Sequence, residues 1–160
     1  MSTLKVDTIQ GKTTASKVIM PTGHVLQVVR SSRNATAHEA FTSSNFTAST
    51  LTLSLTPKAS GNKVIVQCHI GMGEQLSSNE TETALYIDGS NVSSTNGGSN
   101  YYWCGYWNTT HMYHGGSGYH EYTTVDTNAH TFALYVKATG GTFNIHKGSS
   151  AMLICTEIQS

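Results

Sequence analysis

The segment VIVQCHI, residues 64–70, places Val64, Val66, Cys68 and Ile70 at every second position. That spacing sends one face of an extended strand into a core and leaves the other to polar surroundings. The pattern recurs. LTLSL (51–55) sets Leu51, Leu53 and Leu55 against Thr52 and Ser54, and TFALYVK (131–137) sets Phe132, Leu134 and Val136 against Ala133, Tyr135 and Lys137. A chain dominated by this period, with almost no helical period, is suited to stacked or closed sheets.

Other strand-length runs fill the spaces between turn residues. HVLQVVR (24–30) is mostly apolar and reads as a buried strand. TALYIDGSN (83–91) reads as a strand entering an Asp88-Gly89 turn, TFNIH (142–146) follows a turn at Gly140-Gly141, and AMLICTEI (151–158) closes the chain. SSTNGGSN (93–100) reads as a loop, SSNETET with Glu80 and Glu82 as a solvated loop, and HGGSG (114–118) as a turn. The one helical candidate is the short RNATAHEA, residues 33–40. About eight strands after residue 23, at this spacing, predict an all-β sandwich or barrel, and of these a jelly-roll-like antiparallel sandwich is the fold expected. Residues 1–21 read as a separate extended arm and 22–160 as the head. The arm offers only a few apolar positions, Leu4, Val6 and Ile9 among them, so it needs another surface to pack on.

Charged residues make up 11% of the chain and the formal net charge is +0. The usual charged share is roughly 25%. Long-range attraction to nucleic acid or to an anionic membrane is therefore not expected, and no apolar run approaches the ~20 residues that span a bilayer. A polar, weakly charged surface suits a packed assembly, because burying charge is costly. With so few aliphatic residues, sister copies are expected to complete the interior. Cys68, Cys104 and Cys155 form no CxxC pair and read as buried free thiols of a chain made in a reducing cytoplasm. The opening MSTLKVDTIQGKTT has no apolar signal-peptide core, so the sequons at Asn34, Asn45, Asn79, Asn91 and Asn108 read as chance.

The stretch YYWCGYWNTTHMYHGGSGYHEY (101–122) holds both tryptophans and most of the tyrosines. Two readings apply to different faces of it. In one, the rings form a core strand whose second face meets a neighbouring subunit. In the other, Trp103, Trp107, Tyr113, Tyr119 and Tyr122 form a ligand platform, because flat rings with polar tips stack on sugars. No Lys or Arg accompanies these rings, which argues against nucleic acid. His111, His114 and His120 are the best metal candidates, but their spacing converges only through a turn or a symmetry axis, and ordinary polar histidines are the preferred reading. HGGSGY is not a G-x-S-x-G elbow, and no carboxylate pair sits in a catalytic motif. No catalytic residue and no cofactor is therefore expected.

STLKVDTIQ, SLTPKASGNKVIV, ALYIDG and TFALYVKATGGTFNIHKGSSAMLICTEI are similar to tail-fibre and related virion proteins of marine bacteriophages, especially cyanophages. The resemblance spans nearly the whole chain and is weakest over about 92–125. It implies a short N-terminal segment before a β-sandwich head in a tightly packed homotrimer. It further implies a non-enzymatic structural protein of the virion, docked to other virion proteins through the arm and meeting a host-surface glycan with its distal loops. Without a shaft segment, a capsid decoration or knob is the second expectation. A glycan-binding lectin or a glycan-degrading enzyme is the third.

Overall fold

The computed structural model describes residues 22–33, 36–75, 80–93, 103, 106–107, 112–145 and 150–160. The arm, with Leu4, Val6 and Ile9, lies outside the described residues. Eleven strands follow one another: β1 (Val25–Arg33), β2 (Glu39–Phe41), β3 (Thr47–Leu55), β4 (Lys63–Gln75), β5 (Glu80–Ile87), β6 (Ser90–Asn91), β7 (Tyr106–Trp107), β8 (Met112–Thr123), β9 (His130–Thr139), β10 (Phe143–Ile145) and β11 (Ala151–Ile158).

They form two antiparallel sheets. In the first, β4 is flanked by β8 on one edge and by β11 and then β10 on the other; β1 lies beyond β11 and β2 beyond β10. In the second, the order is β3-β9-β5, and the far edge of β5 is shared by β6 and β7. The chain crosses between sheets so that β1-β11-β4-β8 lies against β3-β9-β5-β7. This is the strand order of a jelly roll, two Greek keys folded together. The expected all-β sandwich is the fold found.

Alternation makes the core. Val64, Val66, Cys68 and Ile70 from β4 and Ala151, Leu153 and Cys155 from β11 meet Leu51, Leu53 and Leu55 from β3 and Phe132, Leu134 and Val136 from β9. Each large side chain removed from water this way contributes roughly 1.5–3 kcal/mol. One chain alone covers these residues, so sister copies are not what completes this interior.

Four expectations are corrected. HVLQVVR is not a buried strand: β1 pairs only with β11 among the described residues, a bulge falls between Val25 and Gln27, and Val28 is 60% exposed. Residues 33–40 hold no helix among those described. Instead, the Arg33 guanidinium donates to the Ala37 carbonyl (2.6 Å) and pairs with Glu39 (3.1 Å), bracing the step from β1 to β2. Glu80 and Glu82 belong to β5 rather than to a loop. Thr81 and Thr83 fill its buried inward positions, and Glu82 points outward to Lys137 at 2.7 Å. HGGSG is not a turn but the middle of β8.

Two local devices hold the sandwich ends. Gly71 sits where the β4 register shifts by a residue against β8; a Cβ there would lie 2.6 Å from the Ser150 carbonyl oxygen, so only glycine fits without movement. At the other end, the fully buried Glu157 carboxylate accepts from the Gln27 amide (2.6 Å), the Asn62 amide (2.6 Å) and the Lys58 backbone N–H (2.8 Å). It thereby ties β1, the β3–β4 connection and β11 together.

Candidate functional site

Among the described side chains of the predicted ring platform, Tyr119 and Tyr122 take opposite faces of β8. Along β8, Gly116, Gly118, His120 and Tyr122 turn toward the interior and are partly covered, while Ser117, Tyr119 and Glu121 face outward. Tyr122 meets Phe132 edge-on at 5.8 Å and His130 at 5.5 Å. Tyr119, on the opposite face, is 57% exposed. Trp103 closes the open side of the sandwich. Its backbone N–H donates to the Thr83 carbonyl of β5 (3.0 Å), and its side chain packs on the core. Its backbone and ring lie so close to β8 that a Cβ on Gly118 would be 2.5 Å from its carbonyl oxygen. That approach explains the glycine at 118: the residue makes room for a tryptophan rather than turning the chain. The Trp103 indole N–H is buried with no partner among the described residues. For Trp107 and Tyr113 the structure describes the backbone alone, in β7 and β8.

His111 lies outside the described residues, and for His114 the structure describes the backbone alone, in β8 opposite Gly73. Burial holds the His120 ring below its usual pKa, against the opposing pull of Glu121. No group of three or more His, Cys, Asp or Glu suited to a metal occurs among the described residues. His69 Nδ1 and Ser117 Oγ are 3.1 Å apart beside a hollow of about 180 Å³ on the first sheet. This pair lacks a carboxylate orienting the ring among the described residues, the third element of a nucleophile triad.

A more developed arrangement occupies the outer face of the second sheet. The tripeptide Ala-Leu-Tyr occurs in β5 (84–86) and again in β9 (133–135). The strands pair antiparallel with Leu85 opposite Leu134, so Ala84 faces Tyr135 and Ala133 faces Tyr86. Both leucines go inward and both tyrosines outward. The small alanine opposite each tyrosine leaves space for the diagonal rings to close on each other, and Tyr86 and Tyr135 stack at 3.8 Å with 18° between planes. Phe46, from the β2–β3 connection, leans on Tyr86 at 6.1 Å and 56°. Lys137 Nζ is 5.9 Å from the Phe46 ring centre and donates to Glu82.

Beside these rings lies a groove of about 400 Å³ lined by Ser44, Asn45, Phe46, Tyr86, Asn91 and Lys137. Asn91 sits opposite Tyr86 in the β5–β6 hairpin, and its side-chain Oδ1 accepts from the Ser93 N–H (3.1 Å) and hydroxyl (2.8 Å). The hairpin is set by Asp88, in the left-handed region at φ 49°, followed by Gly89 at φ 78°, as the Asp-Gly signal predicts. Asp88 also accepts from the Thr131 N–H (2.7 Å) and bonds His130 (2.6 Å). Burial raises its pKa, but the His130 and Thr131 hydrogen bonds outweigh burial and hold it below the usual carboxylate value.

The sequence assigns none of the groove residues a binding role: Asn45 and Asn91 stand there only as chance sequons, and Lys137 only as an outward strand residue. The repeated ALY tripeptide was the available signal, and it becomes one only when the strand register is known. No protein-family model matches the chain, and a search of curated proteins likewise finds no match.

Proposed function

We propose that the chain is a non-enzymatic virion structural protein, a short trimeric tail-fibre or tail-appendage module that takes part in attachment to the host surface. The observation that carries attachment is the groove on the second sheet, where rings and amides collect on the outside of a sandwich whose apolar interior is closed. Such a surface is equipped to hold a partner. The virion assignment comes from the likeness of the opening, ALYIDG and C-terminal segments to phage fibre proteins, and jelly rolls serve both capsid and lectin domains.

Attachment by such a module works through avidity. Three heads held together make each contact after the first effectively intramolecular, so weak single contacts add to firm adhesion. The arm, through Leu4, Val6 and Ile9, docks the trimer to the particle in this reading. Purified protein is expected to compete with phage particles for host cells, and antibody labelling is expected on the tail. Absence of competition overturns attachment, and label on the capsid reassigns the protein as a decoration or knob.

A further inference from the structure

We propose that the groove on the outer face of the second sheet binds an uncharged saccharide, one sugar ring lying against Phe46 and Tyr86 with its hydroxyls met by Asn45, Asn91 and Lys137. This deepens the reading of the chain as an attachment module and rests on it.

The chemistry of the lining sets the ligand class. Its volume, about 400 Å³, falls among small-ligand sites, which run roughly 300–1,000 Å³. The rings supply an apolar wall for the C–H face of a sugar. The Asn45 side-chain amide makes no hydrogen bond among the described residues and so offers a donor and an acceptor side by side, the pattern that neighbouring hydroxyls need. Asn91 is already oriented: Ser93 occupies its oxygen, so the NH₂ group remains to donate.

Charge then narrows the choice. Lys137 is the cation in the lining, and Glu82 balances it at 2.7 Å. The other lining side chains are neutral. A carboxylate or phosphate on the ligand would have to compete with Glu82 for Lys137, whereas a hydroxyl can take one of the remaining ammonium protons without disturbing the pair. The site is also stiff, because Tyr86 is held by its stack on Tyr135. Ordering it costs little on binding.

The test uses the full chain on an array of neutral and acidic glycans, followed by titration with the neutral sugars that bind. Neutral saccharides are expected to bind, and Asn45→Ala and Asn91→Ala are each expected to weaken binding at least tenfold with the unfolding midpoint retained. Gln67→Ala, on the opposite sheet, should leave binding unchanged. Asn45 is exposed, so that variant keeps the test valid if Asn91→Ala disturbs its hairpin. Binding of acidic sugars alone, binding of polar peptides in place of sugars, no binding at all, or loss on Tyr119→Ala with Asn45→Ala unaffected would each overturn the proposal. Competition with particles without sugar binding sinks the ligand class and leaves attachment standing. Sugar binding without competition does the reverse.

Discussion

Replacing Glu157 by glutamine puts a donor where the protein supplies only donors. The carboxylate is 0% exposed, and the three groups facing it are N–H donors from Gln27, Lys58 and Asn62. In Glu157→Gln, the new carbonyl can keep Lys58 and Asn62, though each bond loses its charge assistance, at about 0.5–1 kcal/mol apiece. The new NH₂ then meets the Gln27 NH₂. Gln27 cannot simply turn its amide over, because the same nitrogen also donates to the Thr56 carbonyl at 2.7 Å. One buried donor is left without an acceptor, at roughly 1–3 kcal/mol. The total is a loss of about 2–5 kcal/mol. A chain of this size loses roughly 2–4 °C in Tm per kcal/mol, so a fall of about 4–20 °C is expected. Urea and thermal unfolding followed by circular dichroism, at one protein concentration, measure it. Glu82→Gln, which breaks a partly exposed pair with Lys137, should cost under about 1 kcal/mol. A Glu157→Gln loss below about 0.5 kcal/mol would refute the reasoning.

Gly118→Ala drives a Cβ to within 2.5 Å of the Trp103 carbonyl and should cost about 1–3 kcal/mol, with Trp103 emission moving toward the red in a Trp107→Phe background. Unchanged emission and stability would mean that Trp103 does not rest there. Asp88 has a folded pKa below its unfolded value of 3.8, so its contribution is present above about pH 4 and is lost as pH falls through the folded value. Asp88→Asn should therefore lower the unfolding free energy measured by urea titration at pH 7, by no more than about 1 kcal/mol for so exposed a group, and have less effect at pH 3; an equal effect at both would contradict this. Burial pushes the Cys155 thiol up to about 12, and Cys68 is also buried. In a Cys104→Ser background, neither thiol should react with a disulfide reagent at pH 8 until the protein is unfolded.

The fold was legible where alternation used aliphatic residues. Leu51, Leu53 and Leu55, then Val64, Val66, Cys68 and Ile70, then Phe132, Leu134 and Val136 announce both strand and inward face, and all are buried. Reading failed where another residue type did the same job. Thr81 and Thr83 occupy inward positions of β5 with no apolar signal, so the strand's first half passes for a loop. It failed again where position in the sheet mattered: the valines of β1 look like core residues, yet an edge strand leaves Val25 and Val28 exposed. The glycines of β8 mislead for a third reason. Gly118 answers to Trp103, a residue on another segment of the chain, and no local rule separates that from a turn. The candidate groove follows the same logic. Tyr86 and Tyr135 each look like an ordinary outward residue, and only the register that pairs them makes a stacked wall.

The two Ala-Leu-Tyr tripeptides are related by a local two-fold through the Leu85–Leu134 pair. The residues at this spot therefore work as couples rather than as single sites. A bulky residue at 84 would unseat Tyr135, and one at 133 would unseat Tyr86, so enlarging either alanine calls for a compensating change on the facing strand.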